Sequence, residues 1–272
     1  MLKTRALTAV VLLAGFGAAL FFLPQPGWIV FCGGLLALAA WEWGALAGVA
    51  AQGRAVYAGA LILLFVSPFF REAFQPTDAY APAWIYAAAG LFWVVLAPLW
   101  IWRSPRLRGR AVLLAVGVLI LLPACAALID LRGGHPALLL AVLGTVWISD
   151  SAAYFVGRSI GRHKLAPAIS PGKTWEGVGG ALLAVALYAL AWAWLGAPEN
   201  PWVDGTRSAA GLVAVLLGLA VVGIIGDLFE SLIKRQAGVK DSGTLLPGHG
   251  GILDRIDAPV AMLPLAVLAF MR

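Results

Sequence analysis

Residues 208–235 read SAAGLVAVLLGLAVVGIIGDLFESLIKR, and this stretch decides the class of fold. Positions 208–226 carry no charge, and about 20 such residues in a helix cross the hydrocarbon core of a bilayer. The run therefore reads as a membrane span whose polar tail begins at Asp227. On a continuing helix, Asp227, Glu230, Ser231 and Lys234 fall at i, i+3, i+4 and i+7 and share one face. Two carboxylates, a hydroxyl and an ammonium in one stripe suit a hard cation together with a phosphate. The plainer alternative is a solvated helix end that pairs its own charges.

The same pattern of long apolar runs and brief polar breaks extends over the whole chain. Of its 272 residues 62% are hydrophobic and only 12% charged, with a mean hydropathy of +0.92. Such a composition excludes a soluble globular protein and predicts an all-α polytopic membrane protein. The short alternating segments of a membrane β-barrel are missing from the sequence. About nine spans are expected, at 6–23, 28–50, 55–70, 83–102, 111–130, 136–157, 177–196, 208–226 and 257–271. The first has a basic start (Lys3, Arg5) but no small-residue cleavage site after it, and reads as a signal anchor. Cys32 and Cys125 lie inside apolar runs without metal-ligand spacing, as small core residues rather than a disulfide.

Charge asymmetry supplies the orientation. With the N-terminus in the cytoplasm, fifteen of the nineteen Lys and Arg residues fall on the inner side. Only Arg71, Arg132, Arg207 and Arg272 fall outside, which puts the C-terminus there too. This is a strong positive-inside bias. The net charge of +6 is thereby explained by orientation and anionic lipid headgroups, so no nucleic-acid partner is expected. One membrane domain, 1–272, is the simplest organisation: 1–135 mainly anchoring helices, 136–272 site-bearing helices and cytoplasmic loops.

The chemistry gathers in that second part. Residues 231–257, SLIKRQAGVKDSGTLLPGHGGILDRID, crowd charges and glycines between two apolar runs. Ionisable groups are costly beside hydrocarbon, so their concentration there marks a functional candidate. Gly248, Gly250 and Gly251 would let a polyphosphate approach the backbone. His249, set among them, is a ligand candidate or a turn residue. Asp254 and Asp257 stand where the ninth span begins, and each alone could serve the helix N-terminus. With Asp227 they also fit an oxygen-ligand site for Mg²⁺, which takes one or two carboxylates and completes its shell with phosphate and water.

Other acids and bases are candidates of lower rank. Asp150, two turns from Arg158, lies at a depth comparable to Asp227. Glu42 in AAWEWGAL is either functional or paired to a neighbouring helix. Asp130 reads as interfacial, and His135 and His163 as incidental. Residues 169–177, ISPGKTWEG, offer Ser170, Lys173, Thr174 and Glu176. A Walker A site is rejected because Pro167 stands where the first Gly should be and no strand is expected before it. Lys173 remains a phosphate-binding candidate at a helix start.

Together, Ser231-Leu-Ile-Lys234-Arg235, Lys240-Asp241, Gly243, Leu246-Pro247, His249-Gly250-Gly251 and Asp254-Arg255-Ile256-Asp257 resemble the signature of the phosphatidate cytidylyltransferases, or CDP-diacylglycerol synthases. SDSAAYFVGRSIGR and ISPGKTWEG are similar to a second conserved region of that family. The likeness covers roughly residues 145–272; before that it is one of hydropathy only. It implies that CTP and phosphatidic acid give CDP-diacylglycerol and pyrophosphate with Mg²⁺. It also implies aspartates of the last two spans as metal ligands, a possible second monovalent cation such as K⁺, a possible homodimer, and a bacterial-type inner membrane with the site facing the cytoplasm. Carried onto this chain, Asp227, Asp254 and Asp257 would be the metal ligands, with Ser231 and Lys234 beside them as catalytic residues. Lys173, Arg235, Lys240, His249, Gly250 and Gly251 would hold substrate phosphates.

The residues themselves point the same way. A lipid phosphate is already an anionic nucleophile, so positioning and charge stabilisation dominate over base catalysis. A secondary transporter using Glu42, Asp150 and Asp227 as a relay is the alternative from another class, but it favours acids near the midplane. A CTP-dependent lipid kinase would need a base for a hydroxyl.

Overall fold

A computed structural model of the protein describes residues 2–67, 80–104, 109–195, 208–246 and 248–271, without the side chains of residues 2–7 and 9. Arg71, Arg106, Arg108, Arg207 and Arg272 of the charge count, Pro247 of the signature, and the side chains of Lys3 and Arg5 lie outside the described residues. The apolar runs form nine helices among the described residues, close to the nine expected segments. They are α1 (Leu2–Phe22), α2 (Gln25–Leu46), α3 (Ala51–Val66), α4 (Ala83–Arg103), α5 (Arg110–Gly134), α6 (Pro136–Ile160), α7 (Trp175–Leu195), α8 (Ala209–Gln236) and α9 (Leu253–Phe270). Six of them, α2 and α4–α8, are long and apolar enough to cross a membrane. The apolar part of α1 (Val10–Phe22) and α3 are shorter, and α9 carries Asp254, Arg255 and Asp257 in its first two turns.

Helix boundaries follow local chemistry. Pro26 and Pro136 open α2 and α6, where a missing N–H costs nothing. His135 Nδ1 accepts the Ala137 N–H at 3.2 Å, and Ser208 Oγ accepts that of Gly211 at 3.1 Å at the start of α8. Within α4 the turn at Phe92–Leu96 widens to a π-helix, with Ala97 N–H donating to Phe92 O. Pro98 follows directly, and a proline ring crowds the turn before it. The widened turn presents Phe92 and Trp93 edge-on to Phe229 of α8, ring centroids 5.3 and 5.6 Å away.

Of the six long apolar helices the most enclosed is α5, which packs on α2, α4 and α9. Although also apolar in sequence, α7 leaves most of its surface uncovered, as a lipid-facing helix does. It joins α6 through glycines: a Cβ at Gly177 would lie 2.8 Å from Ala153 O, and one at Gly180 2.5 Å from Val156 Cγ2. Small residues that let backbones meet are the usual adhesive between membrane helices. Gly226 plays this part between α8 and α9, where a Cβ would lie 2.7 Å from Asp257 O.

The helices alternate in direction, so the bundle has two chemically distinct ends. At one end Arg132 ties α5 to the end of α1, its Nε donating to Leu20 O at 2.8 Å and its NH2 to Leu23 O, over the Trp28 ring. Asp130, expected to be interfacial, is buried at this end instead. It is satisfied by the Tyr86 hydroxyl at 2.6 Å and the Tyr80 N–H. At the other end Trp43 Nε1 of α2 donates to Leu113 O at 2.7 Å and the Tyr57 hydroxyl to Leu114 O at 3.0 Å. Cys32 and Cys125 are buried free thiols.

One element was not expected. Between α6 and α7, residues Lys164–Ala166 (β1) and Ser170–Thr174 (β2) pair as an antiparallel hairpin, Lys164 opposite Thr174 and Ala166 opposite Ser170. The sequence reading made this a loop. The hairpin closes because Trp175 N–H reaches back to His163 O at 2.9 Å, while Glu176 accepts from the His163 N–H and pairs with its Nδ1 at 2.6 Å. His163 is therefore a latch and not incidental.

Candidate functional site

At the hairpin end of the bundle, α8 runs unbroken past Asp227 to Gln236, so the expected stripe exists. Ser231 Oγ donates to Asp227 Oδ1 at 3.3 Å, one turn back. Lys234 Nζ lies 3.5 Å from Glu230 Oε2, also one turn back. The stripe does not close on itself, however. Asp227 Oδ2 takes Lys173 Nζ of β2 at 2.5 Å, and Lys234 Nζ donates to Asp254 Oδ1 of α9 at 2.6 Å. The two lysines are therefore held by carboxylates from separate elements. The first pair is about a quarter to a third exposed, and the second nearly buried.

Asp254 is fully engaged. Its Oδ2 accepts from Ser242 N–H at 2.9 Å and Gly251 N–H at 2.8 Å, and lies 3.0 Å from Ser242 Oγ, whose single proton it shares with Glu42. Glu42, at the end of α2, completes this corner. Its Oε1 accepts the Ile252 N–H and its Oε2 the Leu253 N–H and the Ser242 hydroxyl, each at 2.9 Å. The reading of Glu42 as an acid paired to a neighbouring helix therefore holds, and the helix it serves is α9. The glycines serve the same corner. A Cβ at Gly243 would lie 2.6 Å from Glu42 Oε1, and one at Gly251 would overlap Ser242 Oγ and Glu42 Oε2. Gly250 has φ +82°, which favours glycine.

Asp257 lies one turn beyond Asp254, with Oδ1 accepting the Ala258 N–H at 2.8 Å. It is within electrostatic reach of Asp227 and next to Glu230. Asp150 of α6 is within electrostatic range of Asp227 and Lys173. Glu230 is 5% exposed, and neither of its oxygens has a hydrogen-bond partner. Six carboxylates from α2, α6, α8 and α9 thus form one connected network with two lysines.

Other expected residues lie around this network. Arg235 is exposed and donates to Ile169 O at 3.4 Å and Val239 O at 3.2 Å, fastening the hairpin to the end of α8. Lys240 is exposed. His249 lends its carbonyl to Arg255 NH2 at 2.9 Å, and its own Nδ1 is buried without a hydrogen bond. Ser242 escaped the sequence reading: a serine before glycine has no period to mark it. Its partners lie 12 and 200 residues away.

Fold and site define a helical integral membrane protein with a strongly polar side-chain cluster at one end, rich in carboxylates and paired cations. The chain belongs to the cytidylyltransferase family, which matches residues 3–271. It is 42% identical over 274 residues to the phosphatidate cytidylyltransferase of Pseudomonas aeruginosa, covering 97% of this chain and 95% of that one. Its identity to the Haemophilus influenzae protein of the same name is 34% over 296 residues, covering 97% and 96%. The Brucella suis phosphatidate cytidylyltransferase is 47% identical over 142 residues, 51% of this chain and 49% of the relative. The kinship is therefore not confined to residues 145–272, as the motifs alone suggested. It includes the anchoring helices.

Proposed function

We propose that the protein transfers the cytidylyl group of CTP to phosphatidic acid at the hairpin end of the bundle, giving CDP-diacylglycerol and pyrophosphate. In this reaction a phosphate oxygen of the lipid bonds to the α-phosphorus of CTP while the bond from that phosphorus to the bridging oxygen of pyrophosphate breaks. The carrying observation is the pair of lysines, Lys173 and Lys234, each held by an aspartate at one end of a membrane bundle. Two anions must approach each other there, and cations fixed in place lower that repulsion without reorganising. Lys173, being the more exposed, meets phosphate first. Ser231 and Arg235 flank the approach, with Lys240, His249 and the Gly250–Gly251 turn on its rim.

Mg²⁺ fits this donor set. Among the described residues no three His, Cys, Asp or Glu side chains close around one point. An ion that takes one or two protein carboxylates and shares substrate phosphates does not need them to. Asp227, Asp254 and Asp257 would hold it, Asp227 being also paired with Lys173 and Ser231 and Asp254 with Lys234, Ser242 and Gly251. When bound, Mg²⁺ supplies Lewis-acid stabilisation of charge on the phosphates. The Glu230 carboxylate, 3.5 Å from Lys234 but accepting no hydrogen bond, suits a second, monovalent cation such as K⁺. A homodimer remains part of the proposal, to be read from the mass of the protein–detergent particle.

Nine crossings are proposed, with the N-terminus and the site on the cytoplasmic side of a bacterial inner membrane and the C-terminus outside. Helix α8 supports this: its 28 residues span about 42 Å, against roughly 30 Å of hydrocarbon. Its charged last turns therefore reach the interface. The reading is tested with detergent-purified protein, CTP, phosphatidic acid and Mg²⁺. Wild type forms liponucleotide, and Asp227→Asn, equally well folded, loses about 100-fold or more of turnover. Undiminished turnover in the variant would contradict the assignment of Asp227.

A further inference from the structure

Glu42 is an acid of this network whose chemistry the proposed reaction leaves unused. It stands one turn from the end of an apolar helix, 5% exposed, and touches neither lysine pair. All three of its partners are donors: two amides at the start of α9 and the Ser242 hydroxyl. A carboxylate is an acceptor only and favours a helix N-terminus, so it answers all three at once. The chain has reserved space for it, since any side chain at Gly243 or Gly251 would collide with it. Mere filling of a core would be served by leucine at no desolvation cost.

The consequence lies one bond further on. Ser242 stands between two carboxylates, 2.9 Å from Glu42 Oε2 and 3.0 Å from Asp254 Oδ2, and its N–H also meets Asp254. Asp254 in turn holds the Lys234 ammonium. We infer that Glu42 is a positioning residue for cytidylyl transfer, acting through Ser242 and the first amides of α9 to fix Asp254 and thereby Lys234. This rests on the activity proposed above. Glu42 does not meet substrate; it sets where a cation stands when the two phosphates come together.

Glu42→Gln keeps the volume but turns one acceptor into a donor facing donors. At saturating CTP and phosphatidic acid, kcat per folded molecule falls about 10- to 100-fold, typical of losing a group that orients another. KM for CTP stays where it was, because no substrate contact is lost. Ser242→Ala lowers kcat in the same way without touching the amides of α9, and combining the two lowers it by less than the product of the single effects. Should Glu42→Gln fail to fold, Ser242→Ala carries the test alone. Unchanged kcat in Ser242→Ala overturns the relay, as does a Glu42→Gln protein that is less heat-stable but fully active per folded molecule. A wild-type protein that makes no liponucleotide overturns the activity itself; an active wild type beside unaffected variants overturns only the role of Glu42.

Discussion

Lys234 shows most clearly how the site is held. Its ammonium sits nearly buried between Asp254 and Glu230. Lys234→Met would leave those acids without their cation, and removing one partner of a buried pair costs about 3–5 kcal/mol. Denaturant unfolding in detergent checks this, and turnover should vanish in whatever protein remains folded. The stripe containing Lys234 was legible from the sequence because i, i+3, i+4, i+7 spacing is a local property of one helix. What the stripe would touch was not. Lys173 and Asp227 are 54 positions apart in the numbering, and Ser242 and Glu42 are 200 apart; no periodicity carries such information. The glycines of 248–251 illustrate a subtler gap. Their abundance was readable, but the reason for Gly251 is an arriving carboxylate from α2, which the sequence around it does not announce.

At the scale of elements, the apolar runs were readable because membrane helices must satisfy their backbone internally and so show as long uninterrupted stretches. The hairpin was not readable, because strands of three and five residues containing Pro171 and Gly172 show no alternation. It matters because it delivers Lys173 to Asp227. The α6–α7 pair carries the hairpin, and Gly177 lets these helices meet. Gly177→Val would push the backbones apart, costing about 1–3 kcal/mol as overpacking does. A lowered melting temperature, with a rise in KM for substrate as Lys173 loses its place, is the expected result. Unaltered values in both would show that the hairpin is held by other contacts.

For the whole molecule, the alternation of helices places Arg54, Arg103, Arg110, Arg158, Arg162, Lys173, Lys234 and Arg235 toward the same end of the bundle and Arg132 at the other. The positive-inside rule would put that end in the cytoplasm, which is the orientation proposed. A cysteine placed at Ser170, with the buried Cys32 and Cys125 replaced by alanine, should react with a membrane-impermeant maleimide only when the cytoplasmic face is open; labelling from outside in intact cells would reverse the orientation. The central claim is that two substrates meet at this end and that the α-phosphorus of the nucleotide changes partners. It is tested most directly by giving purified protein phosphatidic acid and CTP with radioactive phosphorus at either the α- or the γ-phosphate. Cytidylyl transfer puts α-label into lipid and γ-label into pyrophosphate. Label from the γ-phosphate in the lipid, or none from either position, would contradict the account.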